Sequence, residues 1–235
     1  AKYRLKTALG VPDSDYSHDD AFPIYGTGQG STNSPTIWII ISSTLFDILL
    51  EKANGATFCS PDRSVEIAFS IVGFVDDSNC QTNDFLADSQ PSPAALAKLA
   101  EDDAKLWSSL LWLSGGYLEL QKCSYHFIHF QFATDGTPSM QGGHVGPAIE
   151  IDDEFTGRKT SIPRKSVFDA HKTLGHYKAP AGNSRTQFNA LYQLGLTTSS
   201  QVLGSPLTPI EANMYYNAIW NAQMRYVLPQ CVLSP

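Results

Sequence analysis

Helical stripes interleaved with β alternation predict a mixed α+β chain, and three observations carry that expectation. Ser34-Pro35 opens a run in which Ile37, Ile40, Ile41, Leu45, Ile48 and Leu49 recur at three- and four-residue spacing up to Asn54-Gly55, the pattern of a helix with one apolar face. Ser64 to Val75 alternates instead, with Val65, Ile67, Phe69, Ile71 and Val75 on one side, the period of a strand. Thr208-Pro209-Ile210-Glu211 spells a capping box ahead of Ala212, Tyr215, Ile219, Ala222 and Tyr226, so a further helix is expected there.

The remaining elements follow the same rules. Ser92-Pro93 repeats the helix-start signal, Leu96, Leu99, Leu106, Leu110 and Leu113 form the stripe, and Gly115-Gly116 stops it. Asp76-Asp77-Ser78-Asn79 offers turn formers after the alternating strand, and Cys80-Gln81-Thr82 reads as a short return strand. That hairpin would carry two carboxylates at its tip. The aromatic run Tyr125 to Phe132 ends in Thr134-Asp135-Gly136-Thr137, where Asp-Gly signals a second hairpin. Between Gly142-Gly143 and Gly157 the composition turns Gly-rich and then acidic, so a division into residues 1–155 and 156–235 is expected.

With 235 residues, 42% hydrophobic and 17% charged, the chain can bury a core and is neither a disordered tail nor a coiled coil. Cys59, Cys80, Cys123 and Cys231 are far apart and form no CxxC, which argues against a zinc ribbon or a disulfide framework and for a reducing, intracellular compartment. The stretch Ile37 to Leu50 contains Ser42, Ser43, Thr44 and Asp47, so it reads as too short to span a bilayer and no membrane partner is expected. The first periodic segment begins only after Gly26-Thr27-Gly28-Gln29-Gly30, and no basic-then-apolar leader opens the chain. It reads as a piece of a longer protein.

The formal charge of −7 hides an asymmetry: residues 1–155 hold 8 Lys and Arg against 21 Asp and Glu, a balance of −13, while residues 156–235 hold 8 against 2, a balance of +6. Arg158, Lys159, Arg164, Lys165, Lys172, Lys178 and Arg185 fall within 28 residues. Such a cluster is either a solvated basic loop or a surface for a phosphate backbone.

Asp76-Asp77 is the sharpest chemical candidate. The dipeptide also occurs at 19–20, 102–103 and 152–153, but only Asp76-Asp77 terminates an apolar strand at a tight turn. Adjacent carboxylates repel one another unless a hard cation such as Mg²⁺ neutralises them, and aspartate-held metals serve nucleotidyl transfer. The plain alternative is an exposed turn. Gly26 to Ser31 lacks the Lys of a P-loop and the spacing of a dinucleotide fold, leaving a loop that enters a helix N-terminus. Cys123, His126 and His129 suggest a metal, but His126 and His129 face opposite sides of a strand, so that reading is set aside.

Taken in order, Gly26-Thr27-Gly28-Gln29-Gly30-Ser31, the Ser34-Pro35 helix and Phe74-Val75-Asp76-Asp77 after a strand resemble the palm of reverse transcriptases. Gly115-Gly116-Tyr117-Leu118-Glu119-Leu120-Gln121-Lys122 looks like that family's nucleotide-facing Lys segment, and Leu174-Gly175 like its primer-grip turn. The resemblance covers about Tyr25 to Pro180 and is most similar to non-LTR retroelement enzymes. It implies an α+β partial polymerase palm, antiparallel strands with packed helices, followed by a mostly helical thumb-like region. It also implies that Gln29, Gly30 and Ser31 border template and nucleotide, that Phe74 supports the primer end, and that Asp76 and Asp77 hold Mg²⁺ or Mn²⁺. Lys122 would meet the pyrophosphate, and Leu174, Gly175, Lys178 and Arg185 would contact nucleic acid. The partners would be an RNA template, a DNA primer and a dNTP.

One departure weighs against activity. Reverse transcriptases take a further metal-binding Asp from a strand well upstream of the Gln-Gly loop, and only 25 residues precede Gly26 here. Asp13, Asp15, Asp19 and Asp20 lie in a polar stretch without an apolar strand. The resemblance therefore implies an incomplete enzyme lacking its fingers; a non-catalytic nucleic-acid-binding domain with a degenerate palm is the competing expectation.

Overall fold

The structure is a computed structural model, and it describes residues 2–3, 16–17, 32–74, 77–84, 92–142, 146–173 and 175–231. Its elements in chain order are β1 (Lys2–Tyr3), β2 (Tyr16–Ser17), α1 (Ser34–Lys52), β3 (Ala56–Cys59), β4 (Glu66–Phe69), β5 (Ile71–Phe74), β6 (Asp77–Cys80) and α2 (Pro93–Leu113). They continue as β7 (Tyr125–His126), β8 (Phe130–Phe132), β9 (Pro138–Met140), β10 (Ile149–Asp152), β11 (Lys159–Ile162), β12 (Arg164–Lys165), β13 (His171–Thr173) and β14 (His176–Lys178). Three helices close the series: α3 (Arg185–Leu203), α4 (Pro209–Tyr216) and α5 (Ala222–Val227). The fold is thus mixed α+β, and the described strands pair two by two, antiparallel except for β7 with β12. Two compact units divide the chain, one of residues 1–123 with 146–162, the other of residues 124–145 with 163–235.

In the first unit the core lies between two helices. Leu45 and Leu49 of α1 bury against Trp107, Leu110 and Leu111 of α2, and the Phe46 and Trp107 rings meet at 5.7 Å. Only the second half of the expected α1 stripe is buried, since Ile37 and Ile40 are 40% and 64% exposed. The helix starts with Asn33 at its cap position and no side-chain cap bond, and it extends to Lys52. At 19 residues and a mean hydropathy of 1.3, it is long and apolar enough to cross a membrane, which the shorter stretch read from sequence was not. The start of α2 matches its signal, with the Ser92 hydroxyl accepting from Ala95 N–H at 3.1 Å. Its end does too: Gly115 takes a positive φ of 82° and Gly116 N–H donates to the Leu111 carbonyl.

The single strand expected over Ser64–Val75 is two. It breaks at the buried Ser70, and its halves join different ladders, β4 with β3 and β5 with β6. The broken strand is also less buried than its alternation implies: Val65 and Ile67 are 55% and 59% exposed. A Cβ on Gly73 would run into the Phe46 ring, so this glycine lets β5 lie close to α1. The first part of the acidic run forms strand β10, paired with β11, with Glu150 and Asp152 exposed, and the run turns after Asp152. Ile149 and Ile151 point inward, and Asp152 stands opposite Lys159.

In the second unit the Asp-Gly turn forms as expected. Phe130 pairs with Met140 and Phe132 with Pro138, Gly136 adopts φ 83°, and the Asp135 carboxylate accepts Thr137 N–H. The Thr208–Glu211 capping box is complete at the start of α4. Helix α3 has no sequence signal, because its buried face is Gln187, Leu191 and Thr198 rather than an apolar stripe. Between α4 and α5 the chain is π-helical over Asn217–Asn221.

Candidate functional site

The strands on either side of Val75-Asp76, β5 and β6, pair with each other. Ladder register sets Ile71 opposite Cys80, Val72 opposite Asn79, Gly73 opposite Ser78 and Phe74 opposite Asp77. The return strand therefore begins at Asp77, three residues earlier than the Cys80-Gln81-Thr82 expected from sequence. Phe74 is 56% exposed and Asp77 is exposed. Val75 and Asp76, between the strands, lie outside the described residues, as do Gln29, Gly30, Ser31 and Leu174.

Three contacts fix this hairpin to its unit. Gly73 closes on Phe46 of α1, Trp107 Nε1–H of α2 donates to Ser78 Oγ at 3.0 Å, and the residues just past β6 are tied to Asp103. That buried carboxylate accepts from Asn54 N–H (2.7 Å), Asn54 Nδ2 (2.9 Å), Gly55 N–H (3.0 Å) and Thr82 Oγ1 (2.6 Å). A buried carboxylate is tolerable only when its lone pairs are filled in this way. Asp103 thus joins α2, the turn after α1 and the exit from the hairpin. Spacing alone does not single it out, since it reads as half of a mid-helix Asp-Asp pair.

Lys122 is exposed at the end of a 3-10 turn, Leu120–Lys122, anchored by the buried Leu120. Its neighbour Cys123 lies near Cys80. Although Cys80 has exposed surface, loss of solvent around its sulfur, the Asp103 carboxylate and Cys123 together push its thiol well up. The Lys122 segment accordingly adjoins the far end of β6, about 10 Å of strand away from Asp77. Among the described residues no group of three His, Cys, Asp or Glu side chains is placed to hold a metal ion.

The basic residues divide between the units. Arg158 and Lys159 belong to the first, at the β10–β11 hairpin. Arg164, Lys165, Lys172, Lys178 and Arg185 belong to the second. There Arg164 lies over the Phe127 ring at 5.1 Å, and Lys165 Nζ donates to His171 Nδ1 at 3.2 Å. Strands β13 and β14 form a hairpin in which His171 faces Lys178 and Lys172 faces Tyr177, and Gly175 in the turn has φ 79°. That left-handed value favours glycine in a two-residue connection. Lys178 and Arg185 are both exposed.

Two imidazoles of this unit lose solvent, His176 wholly and His126 in part. Desolvation holds His126 below the ordinary imidazole range despite its hydrogen bond to the Ser166 carbonyl (3.0 Å), and Lys165 and His171 push the same way. Desolvation, with Lys178 beside it, likewise lowers His176. His176 Nδ1 has no hydrogen-bond partner among the described residues. No protein-family model, curated protein or solved structure matches the chain.

Proposed function

We propose that the chain is a fragment of a reverse transcriptase, an RNA-directed DNA polymerase, with residues 1–155 a partial palm and residues 156–235 a primer-grip and thumb-like region. The observation that carries this reading is the hairpin. Phe74 and Asp77 are directly opposed across β5 and β6, so the motif's described aromatic and acidic residues share one end of the ladder. Gly175 in a tight hairpin followed by the exposed Lys178 supports the primer-grip assignment. RNA template, DNA primer and dNTP are the partners this reading requires, inside the cell.

Asp77 is the one carboxylate in the described part of the hairpin's tip, and one exposed carboxylate is a poor site for Mg²⁺ or Mn²⁺, which demand several oxygen ligands. On this reading Asp76 and Asp77 hold the ion only together with an aspartate from a preceding strand. The exposed Lys178 and Arg185 serve equally well a second reading, a nucleic-acid-binding domain that kept the palm and lost the chemistry.

Primer extension separates them. The 235-residue chain should not extend a primer; the protein lengthened upstream through an aspartate-bearing strand should. Asp76→Ala in the lengthened protein should abolish extension and leave hybrid affinity nearly unchanged, because a missing ligand removes chemistry and not positioning. Extension by the short chain, or full activity after Asp76→Ala, refutes the polymerase reading; lasting inactivity of the lengthened protein leaves the binding domain.

A further inference from the structure

Helix α3 displays an aromatic pair on its solvent side. Phe188 and Tyr192 lie one turn apart with ring centroids 6.4 Å apart and planes 13° from parallel. They are 58% and 56% exposed, while Gln187, Leu191 and Thr198, about 100° round the helix, fill its buried face. Two large rings stacked in water present apolar, polarisable faces that a folded chain ordinarily covers.

Their surroundings select the partner. Arg185 stands three residues before Phe188, on the same side of the helix and also exposed. Gln187 Oε1 accepts Tyr177 N–H at 2.8 Å, which pins β14 to the first turn of α3 and brings the β13–β14 hairpin to the same end. That hairpin adds two exposed cations, Lys172 on one face, with its ammonium 5.7 Å from the Tyr177 ring, and Lys178 on the other. From His171 to Leu203 the sequence has no Asp or Glu. The nearest acids in sequence are occupied elsewhere: Asp169 accepts Ser166 N–H, and Glu211 closes the capping box. The surface combines cations, stacked rings and a helix N-terminus, with no negative side chain from its own segment to neutralise it.

We propose that this surface binds an unpaired nucleic-acid strand, with bases stacking on Phe188 and Tyr192 while Lys172, Lys178 and Arg185 meet the phosphates. Parallel exposed rings match the free faces of unpaired bases, which a duplex hides inside its own stack, and the cations account for the backbone. The proposal stands apart from the polymerase reading: a domain without chemistry would bind a strand in the same way, and a polymerase would need hybrid duplex besides.

The test titrates the full chain against a fluorescent oligouridylate of about twelve nucleotides, a length within the usual range of single-strand sites, its abasic counterpart, and an RNA·DNA hybrid of equal length. Wild-type protein should prefer oligouridylate to the abasic strand. Phe188→Ala with Tyr192→Ala should weaken oligouridylate binding by about tenfold or more. The same pair should leave hybrid binding, abasic binding and the salt dependence unchanged, and Phe188→Trp should bind at least as well as wild type. Lys172→Gln, Lys178→Gln and Arg185→Gln together should flatten the fall of log K with log salt, by about 0.7 for each phosphate no longer neutralised. Equal binding of abasic and base-bearing strands, an unchanged affinity in the ring variant with native far-UV dichroism, or preferential binding to anionic vesicles overturns the proposal. Loss of hybrid binding alone would count against the polymerase reading and not against this one.

Discussion

Asp103→Ala should destabilise the frame that carries the hairpin, and the cost follows from its four bonds. Three donors lose their acceptor inside the fold: Asn54 N–H, Gly55 N–H and the Thr82 hydroxyl. Asn54 Nδ2 sits on an exposed residue and can turn to water. The Thr82 hydroxyl can rotate to another acceptor, which leaves two stranded amides at about 1–3 kcal/mol each. Relief from burying a charge trims the total, so about 3 kcal/mol is expected, a large part of a typical domain's roughly 5–15 kcal/mol. Asp103→Asn keeps Oδ1 for Asn54 and turns an amide towards Gly55 N–H, so it should cost about 2 kcal/mol. Because two units need not melt together, the assay is native-state amide exchange at Asn54 and Gly55, with urea denaturation alongside. Both variants should lose protection there, alanine more than asparagine. Wild-type protection at Gly55 with an unchanged urea midpoint in Asp103→Ala would refute the assignment of Asp103 as the tie between α2 and the hairpin.

Other outcomes follow from single contacts. Gly73→Ala should displace the Phe46 ring and cost about 1–3 kcal/mol by overpacking, seen as lowered stability and a changed Trp107 emission; unchanged emission and stability would place Phe46 elsewhere. Thr208→Ala removes the hydroxyl that accepts Glu211 N–H and should cost α4 about 1 kcal/mol, read from its Cα chemical shifts. His126 and His176 are both held below their ordinary value of 6.5, so the folded chain binds fewer protons than the unfolded one. Their contribution is present at neutral pH and is lost as pH falls through 6.5 towards their folded values. The melting temperature of the second unit should therefore drop between about pH 7.5 and 5.5, by less in His126→Phe; a rise on acidification would contradict the desolvation of both rings. Asp62, held down to about 2 by the Ser60 and Ser64 hydroxyls and Ser64 N–H, should keep the β3–β4 turn intact until pH falls through that range. Amide shifts of Ser64 and Val65 that move near about pH 4, the ordinary aspartate range, would show the bonds are not formed.

What could be read from spacing was what spacing encodes. Caps and turns were legible because a few local atoms decide them: Ser92 on Ala95, Thr208 with Glu211, Asp135-Gly136 and the glycine stop of α2. Periodicity failed where polar side chains are buried. Helix α3 hides Gln187 and Thr198, and Ser70 interrupts what reads as one strand. Each of these polar groups spoils an apolar stripe that a sequence reading counts on, and burial is set by partners far along the chain.

The Asp-Asp pairs make the consequence concrete, because their sequences are nearly alike and their environments are not. Asp102 is exposed and pairs with Lys98 at 2.6 Å, while its neighbour Asp103 is buried among donors from two other segments. Asp152 faces Lys159 across a ladder, and Asp153 accepts Phe155 and Thr156 N–H in the turn that follows. Asp102, Asp103 and Asp153 already have a cation or a set of donors, and a filled carboxylate has little left to give a metal or a substrate. Asp77 begins β6 in the open, opposite Phe74, at the end of a hairpin braced by Phe46, Trp107 and Asp103. Rigid support beneath an exposed acid is what a reacting group requires. The case for Asp77 as the chemical residue therefore rests on how its neighbours are held, and it weakens in step with any result that loosens Asp103.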